Sequence, residues 1–207
     1  MALIRPVVIS ARPGIIIPVI GGFAGTVILT AGIYLAPLVG FPFIDVPHLM
    51  GGIFTSDATI ALWLGFWLHF IAGGLLFPIL FGLFWPLAPG PMTGILGEVS
   101  KGLTWGLTLW ILSGLLMPVA GWLNRLPSGT LELPGFFGLG LGVKGALALL
   151  GGHIAYGLAI GLVSYMAADV FPLETLGWQG YVKAELPPAG TLYEDREFPE
   201  YPTLGSR

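Results

Sequence analysis

Residues 58–87 read ATIALWLGFWLHFIAGGLLFPILFGLFWPL and contain no aspartate, glutamate, lysine or arginine. A helix that crosses a bilayer needs about 20 mostly apolar residues, and this stretch is longer than that. Its continuous apolar character also differs from the alternating pattern of a membrane-barrel strand. The stretch therefore predicts a transmembrane helix.

Three other stretches have the same character, at residues 14–39, 101–123 and 143–166. The composition agrees, because only 9% of the 207 residues are charged, whereas a soluble domain has about 25%. We therefore predict an all-α integral membrane protein whose four transmembrane helices form one domain, residues 1–168. Residues 169–207 are rich in proline and acidic side chains, which predicts an extended cytoplasmic tail.

The basic residues near the helix ends predict the orientation of the chain. Six of the eight lie on one side, and only Arg125 and Lys144 lie on the other. Because the side with more basic residues is cytoplasmic, we expect both termini in the cytoplasm of a bacterial inner membrane. The six residues are Arg5, Arg12, Lys101, Lys183, Arg196 and Arg207.

The outer loop and the tryptophans give further expectations. Asp45 followed by Pro47 predicts a short interfacial helix within residues 41–57. Tryptophans that flank apolar stretches are typical interfacial anchors, and deeper ones are expected to pack between helices. The flanking ones are Trp85, Trp105, Trp122 and Trp178, and the deeper ones are Trp63, Trp67 and Trp110.

A spacing pattern recurs in the two halves of the membrane domain. A Gly-x-x-x-Gly pair followed by proline appears in the first stretch and again 81 residues later in the third. A His-x-x-x-Gly pair in the second stretch recurs 84 residues later in the fourth. The pattern predicts two pseudo-repeated hairpins. The matching residues are Gly21, Gly25 and Pro37 with Gly102, Gly106 and Pro118, and His69 and Gly73 with His153 and Gly157.

The spaced glycines indicate helix packing. Lipid tails are as apolar as leucine, so transmembrane helices associate through close backbone contact, which small residues four apart allow. We therefore expect the glycines of the repeat to lie at helix contacts. They are Gly21, Gly25, Gly73, Gly102, Gly106 and Gly157.

Two histidines lie at membrane depth, where an ionisable group is by default a functional candidate. His69 and His153 are tentative cofactor-binding residues, because two imidazoles from two hairpins suit one b-type haem, and a single histidine suits chlorophyll. They are metal ligands only if such a cofactor is bound. The alternatives are a hydrogen bond to a neighbouring helix, worth roughly 1 kcal/mol, and a proton relay.

Several classes of function are excluded by what the sequence lacks. Without cysteine there is no iron–sulfur cluster and no c-type haem attachment. The few scattered basic residues form no surface for a nucleic acid. Nucleotide-binding, hydrolase and zinc-protease motifs are also missing, so we expect no enzymatic activity.

The sequence also resembles a family of uncharacterised four-helix bacterial inner-membrane proteins that carry a domain of unknown function. The resemblance rests on DVPHLMGG at residues 45–52, after the first helix, and on the histidine four residues before glycine in the second. It covers roughly residues 15–166. It implies the four-helix fold and no activity.

Together these features favour an accessory, non-catalytic subunit of a larger energy-transducing complex of respiratory or photosynthetic electron transport. Its partners would be the lipid bilayer and the other membrane subunits of the complex. It would give those subunits structural support through helix packing and through its tail. One alternative is an electron-transfer protein that binds a b-type haem or chlorophyll through His69 and His153. A second alternative is a small oligomeric transporter or channel.

Overall fold

A computed structural model describes residues 15–88 and 94–170, and within these residues the regular structure is helical, with no strand. The N-terminal basic residues and almost all of the predicted tail lie outside the described residues. The helices are α1 (Ile16–Leu35), α2 (Val46–Gly51), α3 (Ala58–Ile71), α4 (Phe77–Phe84), α5 (Gly94–Leu123) and α6 (Gly142–Val170).

Four helical segments are long and apolar enough to cross a bilayer, which confirms the predicted fold class. They are Ile16–Val39, Ala58–Phe84, Gly94–Leu123 and Phe136–Ala167. The third begins at Gly94 rather than at residue 101. The charged residues Glu98 and Lys101 lie inside α5 and are buried, so they do not mark the end of this span.

Helix α6 packs along both α1 and α5 through glycines. A Cβ atom at Gly21 would lie 3.0 Å from the Cα of Ile160 on α6, and one at Gly25 would lie 2.8 Å from the ring of Tyr156. Gly102 faces the carbonyl of Gly157 in the same way. Because no side chain separates these backbones, the helices approach closely.

The remaining two glycines of the predicted set also lie at helix contacts. A Cβ at Gly106 of α5 would meet the carbonyl oxygen of His153, and one at Gly73 would lie 2.5 Å from Oγ1 of Thr26 on α1. The span made by α3 and α4 therefore lies along α1. The Gly-x-x-x-Gly pairs of both predicted copies contact α6, and the duplication itself stays a prediction.

A π-helical turn, Ala72–Leu76, joins α3 to α4. In it the N–H of Phe77 donates to the carbonyl of Ala72, five residues back. The next carbonyl, that of Gly73, would need the N–H of residue 78, but Pro78 has none. The hydroxyl of Tyr156 donates to it instead at 2.6 Å. Proline thus explains why α6 reaches across to this turn.

Helix α2 confirms the helix predicted in the outer loop. Asp45 caps it by accepting from the N–H of His48 at 3.1 Å, and Pro47 lies in its first turn. The helix also packs on the bundle, because Leu49 is buried and the amide of Asn124, after α5, donates to the carbonyls of His48 and Leu49.

The tryptophan predictions are partly wrong. Trp63 and Trp67 were expected to pack between helices, but each is 60% exposed on α3. Trp85 was expected at the interface, yet it is buried, with Nζ of Lys101 4.3 Å from its ring centroid. Trp122 is exposed, as expected of an anchor. The position of a tryptophan in the sequence did not indicate the helix face on which it lies.

Candidate functional site: an apolar cavity with two histidines

An apolar cavity of about 690 Å³ lies between the helices, in the half of the bundle that contains α2. Volumes of about 300–1,000 Å³ are typical of cofactor and small-molecule sites. Its walls come from α1, the α3–α4 span, α5, α6 and the loop that carries α2. Every candidate membrane span therefore contributes to it.

Two buried clusters close the ends of this cavity. At the α2 end, Ile44, Leu49 and Met117 pack together and line it. At the other end, Tyr156 and Leu109 belong to a cluster that also holds α4 against α5 and α6. The cavity is thus bounded by packed side chains at these two ends and is partly open to the outer surface between them.

Few polar side chains line the cavity, and both membrane histidines are among them. The structure therefore brings the two predicted residues, His69 from α3 and His153 from α6, to one site. Each bonds a hydroxyl on the preceding span, so both also fit the hydrogen-bonding alternative. The polar lining residues are Thr26, His69, Ser113, His153 and Tyr156.

His153 is held by two hydrogen-bond partners. Its Nδ1 lies 2.8 Å from the carbonyl oxygen of Leu149, one turn earlier in α6. A carbonyl can only accept, so Nδ1 carries the proton and donates. Nε2 then has a lone pair, and Oγ of Ser113 on α5 lies 3.2 Å from it. The imidazole is therefore fixed in one tautomer.

His69 has the opposite tautomer. The hydroxyl of Thr30 donates to the carbonyl of Thr26 at 2.7 Å, so its single proton is already used. The Thr30 oxygen lies 3.2 Å from Nε2 of His69 and must accept, so Nε2 carries the proton. Among the residues that the structure describes, Nδ1 of His69 has no hydrogen-bond partner.

The site fits a tetrapyrrole in some respects and differs from the bis-histidine arrangement in one. The cavity volume and apolar walls suit a macrocycle, and Nε2 of His153 presents a lone pair. Lys144 reaches the rim, where its Nζ donates to the carbonyl of Gly40 at 2.9 Å, near enough to neutralise a carboxylate. Nε2 of His69, however, is a donor and would have to leave Thr30 before it could ligate a metal.

The polar residues of the outer loop have structural roles. Nδ1 of His48 lies 2.7 Å from the Asp45 carboxylate, and its Nε2 lies 3.1 Å from the carbonyl of Ala58. Asp57 caps α3 by accepting from Ile60 at 2.9 Å. No group of three or more potential metal ligands occurs in residues 15–88 and 94–170. The histidine ring thus ties α2 to the start of α3.

Sequence reasoning missed a buried polar group at the opposite end of the bundle. Lys101 is 0% exposed and donates to the carbonyl of Trp85 at 3.5 Å, and Glu98 is 3% exposed on the same helix. Ser164 of α6 is also fully buried. The three-residue spacing of Glu98 and Lys101, which places both on one helix face, was the available signal.

Comparisons with known proteins add no assignment to this geometry. No family model matches the chain, and no curated protein or solved structure is significantly similar to it. The resemblance to four-helix bacterial proteins therefore stays a prediction. The class that the fold defines is a four-span, all-α membrane protein with an internal cavity.

Proposed function

We propose that the protein is a non-catalytic membrane subunit of an energy-transducing complex, and that it holds a lipid-soluble cofactor in the cavity. The observation that carries the proposal is the cavity of about 690 Å³, lined by both membrane histidines. Ligand sites are mostly apolar with a few convergent polar groups, and this description fits the cavity. An enclosed polar site would instead favour a water-soluble ligand.

The cavity wall suggests entry from the lipid. Leu35 and Val39 of the first span and Leu116 of α5 line the cavity and are also exposed on the outer surface of their spans. An exposed apolar side chain on a membrane-spanning helix contacts lipid wherever no other subunit covers it. A ligand dissolved in the bilayer therefore meets the cavity edge without crossing water.

The exposed face of α3 supports the assignment to a complex. Trp63 and Trp67 lie one turn apart and are flanked by the exposed Ile60 and Ile71. Within the described part of the chain, neither indole N–H has an acceptor, and lipid offers none at the depth of Trp67. A helix of another subunit would supply both an acceptor and a packing surface.

Filling the cavity tests the binding proposal. Gly32 and Gly151 line it, and a Cβ atom at either position would meet nothing within 4 Å. Leucine at these helical positions therefore occupies free space and also favours the helix, by about 1 kcal/mol relative to glycine. We expect Gly32→Leu and Gly151→Leu to fold and to lose a copurifying apolar molecule.

The measurement is mass spectrometry of an organic extract of the protein purified in mild detergent. Thr108→Leu is the matched control, because Thr108 is exposed on α5, does not line the cavity and bonds only its own helix. If the extracts of the filled variants equal those of the native protein and the control, the cavity is not a binding site.

The subunit proposal is tested through Trp67. We expect the native protein to migrate with other subunits when membranes are solubilised gently, and Trp67→Leu to release it. Trp122→Leu, at an exposed helix-end residue, should leave the assembly unchanged. A native protein that migrates alone at its own mass of 21.9 kDa plus detergent would refute this part of the proposal.

A further inference from the structure

We infer that the cavity takes a metallotetrapyrrole and that Nε2 of His153 is its only protein axial ligand. The inference rests on the proposed function and names the class of the cofactor and the ligating atom. It differs from the symmetrical arrangement in which His69 and His153 clamp one metal. Each step follows from where the protons of the site lie.

Nε2 of His153 is prepared to ligate a metal. Metal-bound histidines almost always donate their other ring N–H to a carboxylate or carbonyl, which fixes the ring and raises its basicity. The 2.8 Å bond from Nδ1 to the carbonyl of Leu149 is such a contact. It comes from the preceding turn of the same helix, so it does not depend on the position of any other span.

Ser113 competes only weakly for this lone pair. Its Oγ lies 3.2 Å from Nε2 of His153 and also 3.2 Å from the carbonyl of Trp110. The hydroxyl has one proton and can serve only one of these acceptors at a time. When a metal takes the lone pair, Ser113 keeps its bond to Trp110, so its polar group remains satisfied.

His69 is not available in the same way. Its Nε2–H donates to Thr30, whose own proton goes to Thr26 at 2.7 Å. Ligation through Nε2 would break the bond to Thr30 and require a new tautomer. We therefore assign His69 to the cavity wall with its Nε2 bonded to Thr30, and the His69→Ala variant below tests whether its Nδ1, which has no partner among the described residues, adds a second ligand.

The positions of these protons also argue against a quinone as the ligand. A quinone offers carbonyl oxygens, which need hydrogen-bond donors. Three donors of the site already have acceptors within the protein. The Tyr156 hydroxyl donates to the carbonyl of Gly73, Nδ1–H of His153 donates to the carbonyl of Leu149, and Nε2–H of His69 donates to the hydroxyl oxygen of Thr30. These three hydrogen bonds are 2.6, 2.8 and 3.2 Å long, in that order. The cavity thus offers a lone pair, which suits a Lewis-acidic metal.

Space beside His153 is also suitable for a flat ring. Gly151 and Gly152 precede it on α6, and Gly32 lies on the α1 wall of the cavity. Lys144 donates to the carbonyl of Gly40 at the rim, and an acidic side chain of the macrocycle would find this ammonium there. An apolar ring with peripheral carboxylates matches both features.

Zinc protoporphyrin is the probe, because zinc in a porphyrin accepts one axial ligand and reports it by a red shift of the Soret band. We expect the purified protein in detergent to bind one equivalent with this shift. His153→Ala should weaken binding at least about 100-fold, and added imidazole should restore the shifted band. Thr108→Leu, at an exposed residue that does not line the cavity, should bind like the native protein.

His69→Ala separates the single-ligand assignment from a histidine clamp. We expect iron protoporphyrin in the native protein to have the high-spin spectrum of one histidine, and His69→Ala to keep that spectral class. A low-spin bis-histidine spectrum in the native protein that becomes high-spin in His69→Ala would overturn the assignment. So would a Soret shift that survives in His153→Ala without imidazole.

The outcomes also distinguish this inference from the proposed function. If the native protein shows no axial ligation, but Gly32→Leu and Gly151→Leu still lose an extracted apolar molecule, the inference fails and the proposed function stands. If those filled variants bind zinc protoporphyrin as the native protein does, the ligand lies elsewhere and both fail.

Discussion

The bond between Tyr156 and Gly73 gives the sharpest test of the packing. Tyr156→Phe removes one oxygen and leaves the ring in place. The Gly73 carbonyl then has no partner, because the residue whose N–H would reach it in the π turn is Pro78, which has no N–H. A buried acceptor left unsatisfied costs about 1–3 kcal/mol. Hydrogen bonds between membrane helices average about 0.6 kcal/mol, with a maximum of about 1.7.

These limits predict a loss of about 1–2 kcal/mol for Tyr156→Phe. For a chain of this size, 1 kcal/mol lowers the melting temperature by about 2–4 °C. The assay is thermal unfolding in detergent followed by circular dichroism. Tyr34→Phe is the control, since Tyr34 is exposed on α1 and its hydroxyl has no hydrogen-bond partner among the described residues.

A double-mutant cycle with Pro78→Ala tests the cause. Alanine restores an N–H at residue 78, which can donate to the Gly73 carbonyl. Tyr156→Phe should therefore cost less in this background, by about 1 kcal/mol. If the cost is the same in both backgrounds, the orphaned carbonyl is not the reason for the contact. If Tyr156→Phe lowers the melting temperature no more than Tyr34→Phe does, the bond between Tyr156 and Gly73 contributes nothing to stability.

Three other changes have expected outcomes. Gly106→Leu should destabilise the bundle by about 1–3 kcal/mol, because the side chain clashes with the α6 backbone. The measurement is thermal unfolding, and a loss of stability as small as that of Gly32→Leu would show that α5 and α6 are not in close contact at Gly106. Asn124→Ala removes both bonds to α2 and should speed protease cleavage of residues 41–57. An unchanged cleavage rate would show that these two bonds do not hold α2 on the bundle. Lys144→Met should alter stability by no more than about 0.5 kcal/mol, because its bond is exposed; a larger loss would show a structural role.

The helices were predictable because hydropathy depends on residue type alone. The stretch at residues 58–87, the cap at Asp45 and the position of both histidines within apolar helices could all be predicted from the order of residues. Each needed only length, spacing or a local hydrogen bond. The structure contains the corresponding helices and brings the two histidines to one cavity.

Features that depend on helix faces were not predictable. The exposed indole of Trp67 and the buried ammonium of Lys101 both follow from how each helix is rotated. That rotation depends on packing between spans that are distant in sequence, and a nearly uniform apolar helix gives no amphipathic signal for it. The π turn before Pro78 and its bond to Tyr156 likewise join residues of different spans.

The most direct measurement of the central claim is an experimental density map of the protein purified from its native membrane. We predict non-protein density in the cavity, continuous from the α1 wall to Nε2 of His153. We also predict that Gly151→Leu removes this density while the four spans keep their positions. A native map in which the lining side chains meet and fill the space, with no additional density, would contradict the account.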